Sequence, residues 1–224
     1  ANEEDLDQYY QQAYDAYVRI FNRVGIDPVI VQSDTGIMGG KVAHEFMLET
    51  TQGEDHLILC RDCGYQANAE IARFHHQNST QELAPLEKIH TPGSTSIQEV
   101  SHFLNIEKKD TAKTVFYQDL DSTLFVVILR GDLEVSEIKL KNHFGVGDIS
   151  PAESDLIRQH GFEPGFAGLI GLNLLTDDTS PPPQDSLRVV ADLSIAQSSN
   201  LVTGANELGY HYVNSNLNRD YQVH

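Results

Sequence analysis

An α/β fold, a mixed sheet flanked by helices, is what this sequence predicts, on three observations. Strand-like and helix-like hydrophobic periods are interspersed along the chain. The stretch "STLFVVILRG", residues 122–131, is apolar at successive positions, as a central strand covered on both faces requires. Ser96 with Glu99, and Ser150 with Pro151 and Glu153, carry the residue pattern of a helix start.

The elements follow in chain order. Residues 4–24 place Leu6, Tyr9, Tyr10, Ala13, Tyr14, Tyr17, Ile20, Phe21 and Val24 at helical spacing, and Gly25 ends the run. "DPVIVQSD" reads as a strand and "TGIMGGK" as a loop. "HEFMLET" and "HLILC" read as a strand pair around the turn residues "QGED". After "CRDCGY", residues 66–76 look helical, and the polar, proline-broken stretch 75–96 reads as a linker or domain crossing. The Ser96 capping box opens a helix with Ile97, Val100, Phe103 and Leu104 on one side. "KTVFYQ" is a strand, residues 122–131 are the central one, and "LEVSEIKLKNHF" is a helix. A helix from Ser150 is closed by Gly161, and "LRVVADLSI" is a further strand.

The totals bound the function. A chain of 224 residues, 40% hydrophobic, suits one or two soluble domains. No apolar run nears the roughly 18 residues of a membrane span, and "ANEEDLDQYY" lacks the basic and apolar parts of a signal peptide, so no membrane partner and a cytoplasmic location are expected. With 33 acids against 15 bases the formal charge is −18, which disfavours a broad phosphate-neutralising surface. Any nucleic-acid contact is expected to be small and local.

Several chemistries lack their motifs. Cys60 and Cys63 form half of a zinc knuckle with no second pair, and His75 and His76 are adjacent where a two-Cys, two-His site needs three to five residues between them; no metal is expected. There is no G-x-S-x-G elbow, no Walker A lysine and no dinucleotide fingerprint. What stands out is "HGFEPGFAGLIGLN", residues 160–173, with glycines at 161, 165, 168 and 171. Such a density of bare backbone reads as a shaped loop that something approaches closely. Lys113 at the mouth of an apolar strand, Asp192 at the end of "RVVAD" and His211 between two tyrosines are polar groups that make a pocket only if the fold gathers them.

At these residues the chain resembles a known family. "SDTGIMGGKVAHEFMLETTQGEDHLILCRDCGYQANAEIA" is similar to bacterial-type prolyl-tRNA synthetases just after their second class-defining motif. "DTAKTVFYQ", "GFEPGFAGLIGL" and "VVADLSIAQSSNLVTGANELGYHYVNSNLNRDY" resemble the YbaK-type editing domain inserted in that enzyme. The resemblance implies a fragment of class II synthetase core at 1–66, the editing insertion at 67–216 and a return to the core at 217–224. It further implies hydrolysis of alanine wrongly attached to proline tRNA. Lys113, Gly165, Gly168 and His211 match the family's editing motifs, Ile97 and Val100 its size-limiting helix face, and Asp192 its strand-end aspartate, which the resemblance assigns to substrate binding. His44 and Glu45 fall in the "HEF" segment bordering the proline site. Leu169 stands where many members carry a loop proline.

On the same basis editing needs no cofactor, ATP and Mg²⁺ serve only the full-length synthetase, and this segment lies between the motifs that bind them. The implied partners are the proline-tRNA acceptor end, the rest of the synthetase chain and, for the parent enzyme, a second copy in a homodimer. A non-catalytic acceptor-end or core-bracing module, and a deacylase for cysteine or serine, are the alternative readings.

Overall fold

A computed structural model describes residues 2–36, 40, 42–74, 78–172 and 187–223. The chain divides into two compact units, Ala1–Arg73 and Phe74–His224. The division falls after Arg73 rather than after residue 66, because residue 66 opens a strand.

The first unit begins with α1, Glu3–Arg23. Asn2 caps it in a reciprocal box with Asp5, and Gly25 follows with φ +77°. Its aromatic stripe lies on Phe46: Tyr14, Tyr17 and Phe21 bring their ring centroids to 5.5, 5.4 and 5.5 Å of that ring. Strands β1 (Val29–Ser33), β2 (Ala43–Met47), β3 (Leu57–Leu59) and β4 (Gln66–Asn68) form a sheet in the order β2-β1-β4-β3. Two expectations change here. β2 and β3 do not pair with each other; each takes a partner with a buried centre, β1 around Val31 and β4 around Ala67. The expected helix at 66–76 is β4 followed by a turn that Asn68 closes onto the Glu70 N–H, since Ala67 is wanted between β1 and β3. His75 and His76 lie outside the described residues.

The second unit holds β5 (Glu87–His90), α2 (Ile97–Leu104), β6 (Ala112–Gln118), β7 (Leu124–Arg130), α3 (Glu137–Phe144), β8 (Ser150–Pro151) and α4 (Ser154–Gln159). After it come β9 (Leu187–Ala191), α5 (Leu193–Ala196), β10 (Leu201–Gly204) and β11 (Tyr210–Ser215). Its main sheet is mixed, in the order β8-β6-β7-β9 with only β7 and β9 parallel. β7 is central and buried from Leu124 to Leu129, as its double-faced apolar sequence demands. A second, antiparallel sheet runs β10-β11-β5, and a parallel bridge from Thr111 to Val202 links the two.

Each face of the main sheet carries its own core. Ala112, Phe116, Val126 and Ile128 pack with Phe162, Leu169, Ile195, Leu201 and Tyr221. Val115, Tyr117, Phe125, Val127 and Leu129 pack with Leu140 and Phe144. Tyr221 is buried in the first core and its phenol is pushed up to about 12 by desolvation, so residues expected to leave this unit after 216 are part of it.

Three elements differ from expectation for local reasons. β5 occupies the expected linker; it is polar because it lies at the sheet edge with most side chains exposed. Ser150 and Pro151 do not start a helix but form edge strand β8 on β6, a place where a missing proline N–H is tolerated, and α4 starts at Ser154. α3 is shorter than "LEVSEIKLKNHF", since Ser136 caps it at the Lys139 N–H.

Candidate functional site

The glycine segment leaves α4 and returns over the β6 face that carries Ala112 and Phe116. Phe162 and Leu169, at 2% and 1% exposure, anchor it in that core, and the Thr114 hydroxyl donates to the Ala167 carbonyl at 3.3 Å. Leu169 is thus a buried anchor of the loop.

Two glycines in it do different things. Gly165 is exposed at φ +84°, and a Cβ there would sit 3.5 Å from the Thr95 side chain, which places the loop against the residues leading into α2. No hydrogen bond engages the Gly165 N–H among the described residues. Gly168 is buried: a Cβ there would fall 2.1 Å from the Gly204 carbonyl oxygen, and one on Gly204 would fall 2.1 Å from that of Phe166. The Gly168 N–H donates to Asn206 Oδ1 at 3.2 Å. Of these two glycines, only Gly165 presents an N–H without a partner among the described residues.

His211 stands behind this loop. It pairs with Gly204 across β10 and β11, and its ring centroid lies 5.5 Å from that of Phe166. Its Nδ1 is 2.6 Å from Thr91 Oγ1, in the segment between β5 and α2. Burial pushes its pKa down to about 4, so the imidazole is neutral at pH 7. The start of α2 completes the surroundings. Glu99 Oε2 accepts from the N–H groups of Thr95 and Ser96, both at 2.9 Å. These bonds hold its carboxyl below the usual carboxylate range, the Ser96 hydroxyl contributing most. Ile97 is half-buried over Gly131, where a Cβ would meet its Cγ2 at 3.0 Å, and Val100 is buried on the same helix.

Lys113 is placed apart from the loop. Strand alternation puts it with Val115 and Tyr117, on the opposite face of β6 from Thr114. Its ammonium donates to Glu134 at 2.8 Å. Asp192 is used as a cap: its carboxylate accepts from the Ser194 N–H at 2.9 Å and starts α5, which also ends the expected strand at Ala191. The structure thus gathers Gly165, Gly168 and His211 with the start of α2, and leaves Lys113 and Asp192 outside that group. Asn206, Gly204 and Thr91 are members that sequence reading assigned no role; "TGAN" held the first two without a signal of close approach.

In the first unit, His44 Nδ1 lies 2.8 Å from the Tyr10 hydroxyl and borders a cavity of about 320 Å³ with Tyr14, Ile30 and Tyr65. Glu45 accepts from the Ser33 hydroxyl at 2.6 Å and from Asn68 Nδ2 at 3.2 Å, which fixes both its oxygens inside the sheet. Cys60 and Cys63 are free thiols in a turn closed by Gly64 N–H to Cys60 O at 3.0 Å. Hydrogen bonds from Cys63, then from the Asp62 backbone, hold the Cys60 thiol below its ordinary range. Among the described residues no three His, Cys, Asp or Glu side chains are placed to hold a metal ion, and no helix is long and apolar enough to cross a membrane.

Comparison with known proteins agrees on one family. The family model described as an aminoacyl-tRNA editing domain matches residues 91–220, which contain the glycine loop, α2 and His211. A proline–tRNA ligase of a Sulfurihydrogenibium species is 39% identical over 99% of this chain and 37% of its own length. Another, from Caldicellulosiruptor saccharolyticus, is 40% identical over 99% of this chain and likewise 37% of its own length. The chain thus spans little more than a third of these relatives.

Proposed function

The chain belongs to the aminoacyl-tRNA editing domain family, and from that premise we propose that the unit Phe74–His224 hydrolyses the ester of alanine mischarged on proline tRNA. The observation that carries the reading is Gly165: an exposed residue whose peptide N–H has no partner among the described residues, in a loop anchored from below and backed by a neutral imidazole. Preorganised donors at a developing oxyanion are commonly worth about 2.7–4 kcal/mol each. Water attacks the ester carbonyl, the Gly165 N–H stabilises the resulting oxyanion, and the tRNA's terminal ribose oxygen leaves with a proton. His211, neutral at pH 7, positions the acceptor end through hydrogen bonding. Gly168 shapes the loop.

Editing is needed because a proline pocket cannot strongly exclude alanine: missing methylenes forfeit only about 1–3 kcal/mol, or roughly 10–200-fold. The second site reverses the test, admitting a methyl side chain and excluding a ring, with Ile97 and Val100 as the limiting walls. Lys113 serves as a phosphate ligand at the margin. Its partner Glu134 has a side chain 89% exposed, against 17% for Lys113, so the carboxylate end of the pair is open to exchange for a tRNA phosphate. Editing in this unit uses no cofactor. ATP and Mg²⁺ serve proline ligation by a longer chain, to which Ala1–Arg73 contributes His44 and Glu45 beside the proline site; that enzyme acts in the cytoplasm as a homodimer.

The test is deacylation of proline tRNA carrying alanine, cysteine, serine or proline, measured side by side. Preferential release of alanine supports the reading; preferential release of cysteine or serine moves the substrate, and no release by the folded chain leaves a binding module. In Ile97→Ala, prolyl-tRNA is expected to be hydrolysed at least about tenfold faster than by the parent chain, in line with the weight of a few methylenes. Complete sparing of prolyl-tRNA removes Ile97 as the wall.

A further inference from the structure

Asn206 sits in the turn between β10 and β11 at φ +51°, a left-handed conformation that Asn tolerates better than most residues. Its side chain reaches back across the chain to one glycine. The Gly168 N–H donates to its Oδ1 at 3.2 Å, and its Nδ2 donates to the Gly168 carbonyl at 2.5 Å. Its own backbone N–H donates to the Phe166 carbonyl at 2.8 Å. A carboxamide can accept from an N–H and donate to a C=O at once, which a carboxylate or a methyl group cannot. The bare backbones of Gly168 and Gly204 pack so closely here that a Cβ on Gly168 would fall 2.1 Å from the Gly204 carbonyl oxygen, and the carboxamide fixes the loop at this contact. The same turn runs on into β11, which carries His211 opposite Gly204. Loop and imidazole are therefore tied to one short piece of backbone.

We propose that Asn206 is a positioning residue for the deacylation, its carboxamide clamping Gly168 so that the Gly165 N–H and the His211 ring address the same ester. This rests on the editing reading above. Asn206 touches no reacting atom; it acts through the loop. A small misplacement of groups around a reacting centre can lower the rate by one to two orders of magnitude while leaving most binding contacts intact.

The experiment is single-turnover deacylation of alanyl-tRNA for proline by the whole chain, comparing the parent with Asn206→Asp, Asn206→Ala and Asn206→Gly. Thermal melting and amide hydrogen exchange over residues 162–170 are followed on the same samples. Asn206→Asp and Asn206→Ala are expected to lower the saturated rate about tenfold or more. Their half-saturating concentration should stay within about threefold of the parent's, and exchange in the loop should quicken. Asn206→Gly, which keeps the backbone conformation but not the carboxamide, should share the rate loss. An unchanged rate in Asn206→Asp overturns the proposal, as does loss of cooperative melting in both Asn206→Asp and Asn206→Ala, which makes the residue one of folding alone. A parent chain that releases no amino acid overturns the editing reading itself, and this proposal with it.

Discussion

At the scale of single residues, His211 makes a prediction with a definite sign. Its pKa is about 4 in the folded chain, lowered by burial from 6.5. Above pH 6.5 both folded and unfolded states hold it neutral, and its contribution is complete. As pH falls from 6.5 towards 4 the unfolded state takes the proton first, so stability drops; below 4 both states are protonated and the loss levels off. Between pH 7.5 and 5 the cost is on the order of 2 kcal/mol. Urea unfolding at those two pH values should show it, and His211→Gln should flatten that part of the profile; an equally steep profile in the variant would assign the drop to other groups. His211, Gly165 and Gly168 could be singled out from the sequence because unusual residue types mark them. Asn206 and Gly204 could not, since their roles come from a backbone approach between segments far apart in the chain.

At the scale of elements, Asp192 separates two accounts of one residue. Family resemblance gives it to the substrate, whereas the structure has its carboxylate on the Ser194 N–H at the start of α5, a helix of four residues. Removing such a cap costs about 1 kcal/mol. Asp192→Ala should therefore lower the melting temperature by roughly 2–4 °C, the shift expected for that loss in a chain of this size, and leave the KM for deacylation as it was. A raised KM with an unchanged melting temperature would return the residue to the substrate. Elements whose pattern answers to burial, such as α1, α2, β6 and β7, were legible in the sequence. β5 and β8 were not: a polar edge strand has no apolar alternation to show, and Ser-Pro ahead of Glu153 carries the same residues whether it opens a helix or borders a sheet.

At the scale of the whole molecule, the two units differ in what they bury. The two hydrophobic clusters found among the described residues lie within 74–224. In Ala1–Arg73 the buried apolar side chains among the described residues are Val31, Ala67 and Ala72, and α1 buries none. A chain of that length with so small a core lacks the apolar burial that independent folding needs. Residues 74–224 expressed alone should therefore unfold cooperatively, and residues 1–73 alone should not. The lower boundary of the second unit can be tested in the same series. Stopping at residue 216, where the sequence places the return to synthetase core, removes Tyr221 from the core it shares with residues of β6, β7 and β10, together with its bridge to Leu217. Loss of a buried aromatic side chain typically costs about 3–5 kcal/mol. A 74–216 chain should accordingly unfold at markedly lower urea than 74–224. Equal midpoints for the two would mean that Tyr221 adds nothing to this core, and the boundary would move back to 216.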